Sequence, residues 1–160
     1  MRFLFFFITL CATSSCISQY NNIDELRSCF KSIESVQEIE NLISLSNNHK
    51  GASVVLAYNC TGKLMLLDYY GNPFEKYRIF INQTTQLDSI IQTNPKNIEI
   101  RLLRYTIQHN CPSFLLYNKD MSNDIKMIKR YFSQEDESLQ NHIKTILKSF
   151  KFSFLNGPTI

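Results

Sequence analysis

Residues Asn94–Asn118 read NPKNIEIRLLRYTIQHNCPSFLLYN, and the reading of this stretch decides the fold. Asn94 followed by Pro95 is a helix-start signal. Asn accepts from the first unpaired N–H groups, and Pro in the first turn gives up an N–H that has no partner there. Beyond it, Ile98, Ile100, Leu102, Leu103, Tyr105 and Ile107 cover most of a helical circumference, so the segment reads as a helix packed on nearly every side. It should stop near His109-Asn110, just before Pro112. Asn97, Arg101, Arg104 and Gln108 recur at three- and four-residue spacing and form a single polar stripe along it. Phe114–Tyr117 follows as a short apolar plug.

Outward from this helix, apolar residues keep the same three-to-four spacing and never settle into alternation. Leu26, Cys29, Phe30 and Ile33 lie on one face of a first helix. Ser35 with Glu38 is a capping-box pattern; it opens a second helix carrying Val36, Ile39, Leu42 and Ile43 that ends at Asn47-Asn48. A third runs from about Lys50 to Asp68 with Val54, Val55, Tyr58, Leu64 and Leu67 inward. Gly51 and Gly62 weaken it by about 1 kcal/mol each unless they admit a close helix–helix approach. Asn72-Pro73 starts a fourth helix to Gln92, with Phe74, Tyr77, Phe80, Ile81, Leu87 and Ile91 inward. Ser122–Phe132 and Glu135–Phe150 read as the sixth and seventh. The expected fold is all-α: stacked antiparallel helical hairpins on a tetratricopeptide-like path without clear repeats, since Gln83 and Ile90 fall where that repeat needs small residues.

The 160 residues divide into a leader over residues 1–18, one helical domain over residues 19–150 and a loosely docked C-terminal tail over 151–160. Met1-Arg2, the apolar run Phe3–Leu10 and the small residues that follow have the order of a secretory signal peptide, with cleavage after Ser18. That run is too short to stay in a bilayer as a spanning helix. Lipid attachment at Cys16 is the competing reading, although Thr13-Ser14-Ser15 lacks the large aliphatic residue usual there. Export implies a periplasmic or outer-surface location and no transmembrane helix after cleavage. Without Arg2, 16 basic residues stand against 14 acidic ones, and they are spread along the chain rather than gathered in a nucleic-acid-binding patch.

Little in the sequence is shaped for catalysis. Three cysteines follow the leader, Cys29, Cys60 and Cys111, with no CxxC and no zinc spacing. His49, His109 and His142 stand alone, with no HxxxH or HExxH, and there is no GxSxG or glycine-rich phosphate loop. No metal or cofactor is implied. The arginine stripe has two readings. Arg101 and Arg104 can wait for an external carboxylate or phosphate, or they can pair with Glu99, Asp120 or Asp124 and lock the following loop onto the helix.

The pattern NPxNxEIRxLR, Gln108, PxFLxYN and Asp124 resembles a family of small exported proteins of unknown function from Bacteroidetes-type Gram-negative bacteria. Lys50-Gly51-Ala52 and Asn72-Pro73 extend the resemblance over roughly residues 48–150. In that family a glycine usually stands where this chain has Leu116. The resemblance implies a helical fold and a periplasmic or surface location, and no assigned activity. The expected function is that of an exported, non-enzymatic helical module that binds a protein partner in a groove between hairpins. The alternative is a carrier or sensor of a small apolar or anionic ligand, gated by Arg101 and Arg104, with Gln108 and Tyr117 completing the candidate binding residues. A hydrolase built on His109 and Cys111 would lack a third, orienting group.

Overall fold

Capping chemistry sets most element boundaries in the computed structural model, which describes residues 23–48 and 51–150. Over those residues the chain is all-helical, without a strand. Helix α1 covers residues 23–31. It is followed by α2 (Val36–Asn48), α3 (Ser53–Met65), α4 (Pro73–Thr93), α5 (Ile98–Asn110), α6 (Met121–Tyr131) and α7 (Glu137–Ser149). Single 3-10 turns continue α3 (Leu66–Tyr69), interrupt the α5–α6 link (Ser113–Leu115) and continue α6 (Phe132–Gln134).

The capping box opens α2. Ser35 N donates to Glu38 Oε2 at 2.9 Å, and Glu38 N donates to Ser35 Oγ at 3.4 Å. Asn72 Oδ1 accepts from Phe74 N at 3.0 Å, with Pro73 in the first turn of α4. Asp136 Oδ1 accepts from Leu139 N at 2.9 Å and opens α7. The start of α5 differs from expectation. Its cap is Asn97, whose Oδ1 accepts from Ile100 N at 3.1 Å. Asn94 instead closes α4, its Nδ2 donating to Ile90 O at 2.9 Å. Proline disfavours helical backbone in the residue before it, so Asn94 ends one helix, and Asn97 N bonds back to Asn94 O across a turn. α3 likewise begins at Ser53 rather than Lys50, because Gly51 has φ +120°, a conformation that does not continue a helix.

Hairpins α2/α3, α3/α4 and α5/α6 carry most of the packing, and α3 also lies along α5. Gly62 lets α3 press on α2: a Cβ there would sit 2.8 Å from Ile43 Cγ1. Every residue of α5 from Ile98 to Gln108 is buried. Leu26, Leu42, Leu87, Ile128, Ile143 and Leu147, from five other helices, close the core around it.

Two expectations about the core fail. Phe74, Tyr77 and Ile81 were to face inward but are exposed, Phe74 by 86 %. The helical period of α4 holds, with Phe80, Thr84, Leu87 and Ile91 buried; Phe74, Tyr77 and Ile81 follow one another at three- and four-residue spacing along the neighbouring face, which no other described element covers. In the plug, Phe114 and Leu116 are 78 % and 77 % exposed, and only Tyr117 is buried. Leu116 has φ 54°, ψ 29°, the left-handed region in which glycine is at ease. Cys29, Cys60 and Cys111 are free thiols. Among the described residues no helix is long and apolar enough to cross a membrane. The leader 1–18 with Cys16, His49, Lys50 and the tail 151–160 lie outside the described residues.

Candidate functional site

Among the described residues, two buried polar clusters and an open groove gather side chains suited to chemistry or binding. The first cluster is built on the α5 stripe. Asp124, on α6 and fully buried, accepts from Arg101 Nη1 at 2.7 Å and Arg104 Nη2 at 2.8 Å through Oδ1, and from Arg104 Nε at 2.8 Å through Oδ2. Arg104 Nη1 donates to Asp88 Oδ1 on α4 at 2.9 Å, and Asp120 Oδ2 stands 3.6 Å from it. Arg101 also donates from Nε and Nη2 to Pro95 O, at 2.9 and 2.8 Å. Tyr117 O–H donates to the same Asp88 oxygen at 3.0 Å. Burial opposes the charge on Arg104, but the hydrogen bonds of Asp124 and Asp88 outweigh it and hold the guanidinium firmly protonated. Burial first, then the Asp88 carboxylate, push the Tyr117 hydroxyl well above its usual range.

Arg101, Arg104 and Tyr117 are thus brought together through shared aspartates: Asp124 joins the two arginines, and Asp88 joins Arg104 to Tyr117. Gln108 is not part of the set. It is buried one turn further along α5, and its side-chain amide makes no hydrogen bond among the described residues. Asp124 and Asp120 were foreseeable as partners. Asp88 was not, because nothing in the sequence of α4 marks it as facing α5.

The second cluster has no local signature at all. Glu99 turns away from the stripe and accepts from Arg27 Nε at 2.8 Å and Nη2 at 2.7 Å, a bidentate pair 72 residues apart in sequence. Arg27 Nη1 reaches Asp24 at 3.0 Å, and Asp24 also accepts from the Ser138 hydroxyl at 2.6 Å. Tyr58 O–H donates to Glu99 Oε1 at 2.9 Å, and its oxygen lies 3.2 Å from His142 Nε2. Tyrosine has one proton, and the carboxylate takes it. His142 must then donate through Nε2, leaving Nδ1 as a buried lone pair, which has no partner among the described residues. Burial, with help from the Arg27 charge, pushes the His142 pKa down to about 3. Burial and Glu99 raise that of Tyr58. A tyrosine, a histidine and a carboxylate in contact are the ingredients of acid–base chemistry. Here Tyr58, Glu99 and His142 are at most 3 % exposed, so the arrangement is a neutralised knot joining α1, α3, α5 and α7.

The groove lies at the end of the bundle where α3 and α5 finish and α2 and α4 begin. It encloses about 640 Å³. Its floor is apolar: Ile39 of α2, Leu64 and Leu67 of the α3 end, Phe80 of α4 and Ile107 of α5. Its rim is aromatic, with Tyr69, Tyr77 and Phe114 all exposed, and Cys111 lines one wall. The charged residues in the lining are Glu34, Asp68 and Lys76. Neither buried cluster lines the groove, and neither does Gln108. His109 packs instead against Phe150, with ring centroids 4.4 Å apart, and is absent from the lining. Burial raises the pKa of the Cys111 thiol, which opposes thiolate formation. Among the described residues no group of three or more His, Cys, Asp or Glu side chains could hold a metal ion.

No protein-family model, curated protein or solved structure matches this chain.

Proposed function

We propose that this chain is an exported, non-enzymatic interaction module of the periplasm or outer cell surface, whose groove takes an apolar segment of a protein partner. One observation carries the reading: a largely apolar groove of about 640 Å³ rimmed by the exposed rings of Tyr69, Tyr77 and Phe114. Exposed aromatics around an apolar concavity are the usual makings of an interface hot spot. The order of the leader supports the location. Carriage of an anion through Arg101 and Arg104 draws less support, because their donors are taken by Asp124, Asp88 and Pro95 O.

The test is affinity capture from the envelope fraction of the exporting cell with the full chain and with a Tyr77→Ser, Phe114→Ser double variant. The expected result is a captured protein whose affinity falls about tenfold or more in the double variant, the scale of losing two aromatic contacts. Equal capture by both forms would overturn the reading.

A further inference from the structure

The groove lies beside the point where the described chain ends. Helix α7 finishes with Phe150 packed on His109, ring centroids 4.4 Å apart, and on Tyr105 at 5.9 Å. The residue after His109 is Asn110, and Asn110 with Cys111 forms one wall of the groove. Ten residues follow Phe150, reading KFSFLNGPTI. An extended chain covers about 3.3 Å per residue, so ten residues reach up to ~33 Å from Phe150. Phe152 and Phe154 share one face of an extended segment, and Leu155 and Ile160 add further apolar area. The single charged residue, Lys151, would meet a lining in which Glu34 and Asp68 stand against Lys76 alone.

From this placement we propose that residues 151–160 are the groove's own occupant, seating Phe152 and Phe154 in cis where a partner segment would otherwise bind. The inference rests on the groove being a binding surface. It adds that access is set by competition, because a tethered segment acts at a millimolar effective concentration. A partner must displace it.

Methyl NMR of the full chain, compared with a Phe152→Ser, Phe154→Ser double variant, tests the proposal. The expected result is a shift of the Ile39, Leu64, Ile107 and Leu115 methyls that is independent of protein concentration. In parallel, a Phe154→Cys chain under mild oxidation should yield an intramolecular disulfide between the introduced thiol and Cys111, identified by mass spectrometry. Shifts confined to the surroundings of Phe150 and His109, with no such disulfide, would overturn the proposal. So would groove shifts that vanish on dilution, which make a second copy the occupant, or shifts removed by delipidation, which make it a lipid. If the methyls do not move but a partner is captured through Tyr77 and Phe114, this inference fails and the proposed function survives. If they move and no partner is captured, this inference is supported and the proposed function fails.

Discussion

At the scale of single residues, burial turns charge into structure. Asp124 is fully buried and satisfies two guanidiniums at once. Removing it strands Arg101 and Arg104 inside the protein, where breaking a buried pair costs about 3–5 kcal/mol. Asp124→Ala should therefore lower the melting temperature by roughly 10 °C or more; a loss below about 2 °C would show that the cluster contributes little. His142 carries a pH signature. Its pKa is 6.5 in the unfolded chain and about 3 in the fold. Between those values the unfolded chain binds more protons, so stability is complete above about pH 6.5 and falls as the pH falls towards 3. At pH 5 the loss is about 2 kcal/mol at 1.36 kcal/mol per unit. Denaturant titrations at pH 7 and pH 5 should differ by that amount in the native chain and much less in His142→Phe. Equal stability at both pH values in the native chain would dismiss the argument.

At the scale of elements, spacing and caps locate helices well and their neighbours poorly. Ser35 with Glu38, Asn72 with Pro73 and Asp136 all act as their residue types dictate, through bonds made within three residues. The sequence pattern assigned the cap of α5 to Asn94, but Asn97 takes it, because Pro95 ends the preceding helix at Asn94 and a turn intervenes. Gly62 was ambiguous: a glycine in a helix is either a weakness or a point of contact. Ile43 decides it, because a Cβ on Gly62 would lie 2.8 Å from Ile43 Cγ1. Gly62→Ala should gain about 1 kcal/mol in helix propensity and lose about 1–3 kcal/mol to overlap, so it destabilises on balance. Combined with Ile43→Ala, the two effects should sum to less than their separate costs in a double-mutant cycle. A Gly62→Ala chain more stable than the parent would refute the close-contact account.

At the scale of the whole molecule, stability and candidate function occupy different places. The charged residues of α5 lie in the interior, and the groove draws on the ends of helices that pack elsewhere. Tyr77 and Phe114 bury little apolar surface, so the Tyr77→Ser, Phe114→Ser chain should melt within about 2 °C of its parent, as surface substitutions usually do. A large fall in its melting temperature would mean that the rim is part of the core. This separation also explains why the candidate site was only half legible. Arg101, Arg104 and their stripe stood out because one helix displays them at regular spacing. Arg27, Tyr58, Glu99 and His142 did not, because their contacts join residues 41 to 84 positions apart. The groove has no motif, being a gap left where four helices end.

By itself, the sequence determined that this chain is helical, where most of its helices start, and that a central helix would be buried with two arginines on it. Those properties follow from interactions within a turn or two of the backbone, which periodicity and side-chain type control. Only the tertiary structure decided that the arginines are neutralised from within, that a second polar knot surrounds His142, and that Phe74, Tyr77 and Phe114 face outward. Each of these depends on which distant surface meets which, and a linear pattern cannot tell an apolar face that finds a neighbour from one that is left beside a groove.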